Sequence, residues 1–224
     1  MLVDVMIENN IPDDVMQGDA MTYIIGGFHT IGNWLVFALH FVSMYPEVQD
    51  RMYQEVKKVL FDTGKVIPSN VAQLVYTRQV MEETLRMGLI APYASRYDDE
   101  NDVTLGGYVI PHGTPIIQAL GVGYSDPSIW PNPDKFDPDR FSPEKVAERH
   151  PYSFQPFGFA GNRKCPGYRF AYAQVATVLA NILLKFQVHH VDCFGVKAMY
   201  GIITTPEDEV WLTLTSRFDE NKEE

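Results

Sequence analysis

In the run Phe157-Gly158-Phe159-Ala160-Gly161-Asn162-Arg163-Lys164-Cys165-Pro166-Gly167 the chain presents one thiol on a glycine-rich loop, with a guanidinium two residues before it and a proline directly after it. A thiolate held in this way is a ligand for a soft or redox-active metal. Pro166 suits the first turn of a helix, whose positive end favours nearby negative charge. The loop also brings backbone amides and an arginine for an anionic group. Iron in haem meets these requirements, because a single cysteine can serve as its axial ligand while the porphyrin supplies the remaining nitrogens and the propionates.

A second constellation is Glu83 with Arg86, three residues apart and therefore on one face of a helix. Alone, such a pair is a surface ion pair worth a few tenths of a kcal/mol. Arg140, inside Phe136-Asp137-Pro138-Asp139-Arg140-Phe141, changes that reading. An arginine in a proline-rich segment can fork onto a carboxylate, so Glu83 with two arginines would pin that segment to the core. The role is structural. The chain's other thiol, Cys193, has none of the surroundings of Cys165 and reads as an ordinary half-buried residue, although two cysteines also admit one disulfide or two inert core thiols.

The elements that must position these groups can be read from period and punctuation. Pro12 to Met44 predicts a long helix with acids at its positive end and a stop before Pro46; Pro46 to about Leu60 predicts an amphipathic one. Asp62-Thr63-Gly64 reads as a turn, Ser69 to Leu74 as a short helix, and Thr77 to Met87 as a stronger helix ended by Gly88. Val103 to Leu105, Tyr108 to Ile110 and Pro115 to Gln118 read as strands of one small sheet. Residues 125–143 form a meander without a sustained period, which needs side-chain anchors. Tyr168 to Phe186 follows the cysteine loop as an apolar helix, and Gln187 to Val191, Met199 to Ile203 and Val210 to Thr215 read as closing strands, before a solvated acidic tail from Asp219.

With 224 residues, 46% hydrophobic, and no internal repeat or low-complexity linker, the chain reads as a single domain over 1–224, a partial one by the resemblance set out below. A formal charge of −11, from 18 basic and 29 acidic residues, argues against a nucleic-acid partner. No targeting signal is visible at the N-terminus. Met21 to Val42 is apolar enough to approach a membrane span, but Gly26, Gly27, His29, Thr30, Asn33 and His40 interrupt it, so it reads as a helix buried inside protein.

Taken together, Glu83-x-x-Arg86, the run Trp130-Pro131-Asn132-Pro133 leading into Phe136 to Phe141, and Gly161-x-Arg163-x-Cys165-x-Gly167 resemble the cytochrome P450 family of haem-thiolate monooxygenases, in that family's order and spacing. Gly26-Gly27-Phe28-His29-Thr30 is similar to the orphan animal group numbered twenty. The resemblance implies a mostly α fold with small β sheets, an α+β class, of which this chain is the C-terminal, haem-binding half. It implies haem b bound through Cys165 as the metal ligand, with Arg163 and Arg96 on its propionates, and Gly161, Gly167, Phe157 and Phe159 around the loop.

On the oxygen side, Gly26 and Gly27 would leave space beside Thr30, whose hydroxyl would hold a proton-delivering water. The plainer alternative is that the glycines permit close helix packing and Thr30 bonds its own helix. His29 stands where the family has an acid, so it is either a proton shuttle or a satisfied core histidine. The loop also departs from the family in its Phe-x-x-Gly step, with Phe157 one residue too far from Gly161 and Phe159 one too near.

The implied activity of the parent protein is insertion of one oxygen atom from dioxygen into a small apolar organic substrate, with electrons from an NADPH-cytochrome reductase-type donor. The implied location is the cytosolic face of the endoplasmic reticulum membrane, held by an N-terminal anchor that is not in this chain. The alternatives are a haem-thiolate isomerase or peroxide-using relative, and a non-catalytic fragment that binds haem poorly.

Overall fold

The computed structural model describes residues 2–60, 66–158, 163–191 and 196–218. The turn at Asp62-Thr63-Gly64, the loop residues Phe159 and Gly161, Cys193 and the acidic tail therefore lie outside the described residues. The class is the expected α+β, with helices forming the frame and short antiparallel ribbons at its edges. In chain order the helices are α1 (Leu2–Glu8), α2 (Asp13–Met44), α3 (Pro46–Val59), α4 (Pro68–Val71), α5 (Val75–Gly88), α6 (Leu120–Tyr124), α7 (Pro143–Glu148) and α8 (Tyr168–Lys185). The strands are β1 (Tyr93–Arg96), β2 (Val103–Leu105), β3 (Tyr108–Ile110), β4 (Ile116–Ala119), β5 (Phe186–His190), β6 (Ala198–Tyr200), β7 (Thr204–Pro206) and β8 (Leu212–Ser216).

The core is the seam where α2, α3, α5 and α8 meet. Trp34, Phe37, Ala38 and Val42 of α2 interlock there with Met52 and Val56 of α3, Val80, Met81 and Leu85 of α5, and Val175, Leu179, Ala180 and Leu183 of α8. Gly88 lets α5 approach α2 closely, because a β-carbon there would sit 3.1 Å from Cγ and 3.2 Å from Cβ of Phe37. The head of α5 has no side-chain cap of its own. Instead Glu55 of α3 accepts from the Tyr76 amide at 2.6 Å, and from the Thr77 amide and hydroxyl at 2.8 Å each. A carboxylate on unpaired amides at the positive end of a helix fixes both the start of α5 and its seat on α3.

Two expectations are corrected. The strand read at Pro115 to Gln118 does form as β4, but it does not join the β2–β3 hairpin. It pairs antiparallel with β1, Tyr93 opposite Ala119 and Arg96 opposite Ile116, and the hairpin stands as a separate ribbon. Alternation in strands this short fixes no partner, and β1 lies close after α5, where Pro92 and an extended run break the helix.

The second correction concerns α2. Its C-terminal half is buried, but Met21, Tyr23, Ile24, Ile25 and Phe28 are exposed, so the helix is a core element over only part of its length. An apolar pattern all round a helix reports that it wants cover on every side, not which side this chain covers. By length and composition alone α2 could cross a membrane, but its last turns are embedded in the protein core.

Candidate haem site

Cys165 lies just ahead of α8 and is a free, half-buried thiol. Its amide donates to the carbonyl of Phe157 at 2.9 Å, which closes the loop, and Gly158 turns it with φ of 84°. That φ is in the left-handed region where glycine carries no β-carbon penalty. A β-carbon at Gly167 would stand 3.9 Å from the sulfur, in ordinary van der Waals contact with it.

Trp34 joins this loop to α2. Its indole N–H donates to the Met81 carbonyl of α5 at 3.1 Å, while its ring meets Phe157 at 5.9 Å and Tyr172 of α8 at 5.4 Å between centroids, both edge-on. Phe157 and Tyr172 close the triangle at 5.2 Å. Edge-to-face rings hold such a joint in a defined geometry. Since Trp34 is four residues after Thr30, the two share a face of α2, so the aromatic joint sets the rotation of the helix that carries Thr30. Beneath it, Tyr172 donates to Glu82 at 3.3 Å with the Arg78 guanidinium 4.8 Å over its ring. Burial pushes the Tyr172 phenol well above its ordinary value, so it stays a hydrogen-bond donor.

The Thr30 hydroxyl donates to the Gly26 carbonyl at 2.5 Å, so Thr30 does bond its own helix. The companion idea of close packing at the glycines finds no support among the described residues. Nothing stands within 4 Å of a β-carbon built at Gly26 or Gly27, and the surface there is open. His29 is exposed in this chain, edge-on to Phe28 at 5.2 Å. Arg163 is exposed beside the cysteine loop. Arg96 is exposed on β1, its guanidinium donating to the Ser95 carbonyl at 2.7 Å. Neither arginine forms an ion pair among the described residues.

Behind the loop, the Glu83 cluster closes as its residue types suggest. Arg86 grips Glu83 with two hydrogen bonds, of 2.7 and 2.9 Å, and the Asp137 amide donates to the same carboxylate at 2.9 Å. The Nε of Arg140 lies 3.3 Å from Oε1 of Glu83, an ion pair without hydrogen-bond geometry. Burial pushes the Glu83 carboxyl upward, and the Arg86 pair pulls it back.

The arginines spend their remaining donors on the meander: Arg86 on the carbonyls of Tyr124 at 2.9 Å and Pro133 at 2.7 Å, Arg140 on those of Asn132 at 2.8 Å and Lys135 at 3.4 Å. Arg149, which donates to the Arg140 carbonyl, stacks 3.9 Å over Trp130, and the Trp130 N–H donates to the Gly123 carbonyl at 3.0 Å. A segment with no ladder is thus held by guanidinium forks and a tryptophan.

Trp34, Tyr172 and Arg149 are the positioning residues that the sequence reading passed over. Spacing would have found the first two, since Thr30 with Trp34 and Tyr168 with Tyr172 are each four apart on a helix. Arg149 has no such signal, because its partners are brought together only by the meander.

Among the described residues no group of three or more His, Cys, Asp or Glu side chains is placed to hold a metal ion. A thiolate ligand at Cys165 would suit a metal that arrives with its other ligands, as iron does in a porphyrin. The residues present fit such a group: a half-buried free thiol with a glycine beside it, exposed arginines that form no ion pair among the described residues, and an open apolar face on α2.

A helical frame of this kind, with a thiol at the head of its last long helix and a buried Glu-Arg-Arg cluster behind it, defines the haem-thiolate class; residues 2–208 match the family model of cytochrome P450, and the chain belongs to that family. Among individual proteins it is 32% identical over 218 residues to cytochrome P450 20A1 of Homo sapiens, a match taking in 96% of this chain and 46% of that protein. It is 33% identical over 216 residues to cytochrome P450 20A1 of Rattus norvegicus, across 96% of this chain and 45% of the relative. Against cytochrome P450 4F12 of Homo sapiens the identity is 37% over 178 residues, 78% of this chain and 34% of that protein. The chain spans about half the length of the curated relatives that it matches most fully.

Proposed function

We propose that the protein of which this chain is part is a haem-thiolate monooxygenase that inserts one oxygen atom from dioxygen into a small apolar organic substrate, drawing electrons from an NADPH-cytochrome reductase-type partner. The observation that carries the reading is the free thiol of Cys165 at the head of α8, in a loop closed by the Phe157 carbonyl, within a chain of the cytochrome P450 family. Haem b, when bound, supplies the oxygen-activating and electron-accepting chemistry that no side chain has.

In this reading the chain's residues hold and orient. Cys165 is the axial ligand, Gly167 keeps the space at its sulfur clear, and Phe157 fixes the loop against Trp34. Arg163 and Arg96 give charge-assisted hydrogen bonds to the propionates, with Phe159 and Gly161 completing the loop. Gly26 and Gly27 keep the facing side of α2 low, and the Thr30 hydroxyl leaves the Gly26 carbonyl to hold a proton-carrying water. His29, exposed one residue earlier, exchanges protons with solvent. In this reading the parent protein works at the cytosolic face of the endoplasmic reticulum membrane.

The test is spectroscopic. The protein, loaded with haem and reduced under carbon monoxide, is expected to show the red-shifted Soret band of thiolate ligation, and Cys165→Ala to lose it. A wild-type band at the position typical of histidine ligation would overturn the assignment. Labelled dioxygen then separates oxygen insertion from isomerisation, since an isomerase leaves its product unlabelled.

A further inference from the structure

We propose that His40 and His190 form a proton-excluding contact that ties the β5–β8 ribbon to α2 near neutral pH and releases it on acidification. His40 sits among the buried residues of α2, 5% exposed, and its Nδ1 is buried with no hydrogen-bond partner among the described residues. The His190 ring lies 5.2 Å away between centroids, edge-on, at the end of β5. A buried polar nitrogen left without a partner is uncommon, and it has no room for a charge.

The placement on β5 explains what the contact holds. His190 shares a strand face with Val188, which is buried, while His189 turns the other way and meets the Thr215 hydroxyl of β8 at 2.8 Å. Val188 is locked to α3 through Gln49, whose side-chain amide donates to the Val188 carbonyl at 2.9 Å and accepts from its amide at 2.7 Å. The histidine pair is thus a second attachment of the same strand, to α2 instead of α3, and the one that carries titratable groups.

Burial pushes His40 down to about 4, and the neighbouring His190 imidazole adds to the effect. Among the described residues, the charge that acts on His40 is that of His190 on β5. A histidine depressed on folding binds its proton more readily when released. Its contribution to stability is therefore complete above about 6.5 and drains away as the pH falls toward about 4. The depression corresponds to roughly a 30-fold weakening of the contact at about pH 5 relative to neutrality.

Hydrogen exchange on the full 224-residue chain, corrected for the intrinsic effect of pH, tests this. Between about pH 7.5 and pH 5, protection of the β5–β8 ladder amides is expected to fall roughly 30-fold more than that of α5, and His40→Leu to abolish the difference. An equal fall in both elements, or a fall undiminished in the variant, would overturn the proposal. An independent check on the wild-type chain needs no substitution: by NMR the His40 ring is expected to stay neutral down to about pH 5, and titration at the ordinary histidine pH would sink the idea. In His190→Asn the His40 midpoint is expected to move upward, and an unmoved midpoint would remove His190 from the device.

Discussion

Two ion pairs in this chain share a bidentate geometry and differ in what their loss should do. Arg51 and Asp139 meet across a bidentate contact of 2.8 and 2.9 Å, but their side chains are 51% and 47% exposed. Water and salt screen such a pair, so Arg51→Ala is expected to cost no more than about 1 kcal/mol in urea unfolding. The Arg51 hydrogen bonds hold the Asp139 carboxyl below its ordinary value. What little the pair contributes is therefore present above the usual carboxylate range and fades as the pH falls through the folded value of Asp139. Glu83 and Arg86 are 0% and 2% exposed. Glu83→Ala strands two buried guanidiniums and is expected to cost about 3–5 kcal/mol in the same measurement. The sequence shows that Glu83, Arg86 and Arg140 belong together, because residue type and the surrounding prolines limit what they can do. It does not show which pair is buried, since burial depends on the whole fold.

At the scale of elements, α5 depends on neighbours at both ends. Its head is capped by Glu55 from another helix, and Glu55→Ala leaves the Tyr76 and Thr77 amides without their carboxylate. A loss of about 1–2 kcal/mol is expected by thermal or urea unfolding, with Glu55→Gln losing less. Its tail passes Phe37 so closely that Gly88→Ala must move the ring at its root, where it cannot swing aside. We expect about 1–3 kcal/mol of destabilisation, seen as a lowered Tm. Helices were the legible part of this chain: the limits of α2, α3 and α8 follow from proline, from acids in a first turn and from apolar period, all local signals, whereas α5, read from Thr77, starts at Val75, where its head is held by Glu55 of α3. Sheet partners were not legible. The pairing of β1 with β4 is settled by how the chain returns after the β2–β3 hairpin, and strands of four residues carry too little pattern to announce it. The cysteine loop was legible as chemistry because its residue types are rare in combination. The Trp34–Phe157–Tyr172 joint that steadies it spans three separate stretches of chain and left only a helical spacing as a trace.

For the whole molecule, the exposed apolar stretch of α2 governs solubility. Ile24, Ile25 and Phe28 are 64%, 57% and 73% exposed on one helix. A contiguous apolar surface of that kind drives association in water. Prepared alone, the chain is expected to self-associate on size-exclusion chromatography. Ile25→Lys with Phe28→Lys should shift it toward monomer while leaving the far-ultraviolet circular dichroism unchanged. The meander is under a different rule. It is suspended from Arg86 and Arg140 by the oxygen atoms of peptide groups at Tyr124, Asn132, Pro133 and Lys135. Every amino acid has that oxygen, so the suspension is indifferent to which side chain hangs beside it. Mutational drift can therefore rewrite exposed positions such as Asp134 and Lys135 with little consequence, whereas the two arginines that do the gripping cannot be exchanged even for lysine.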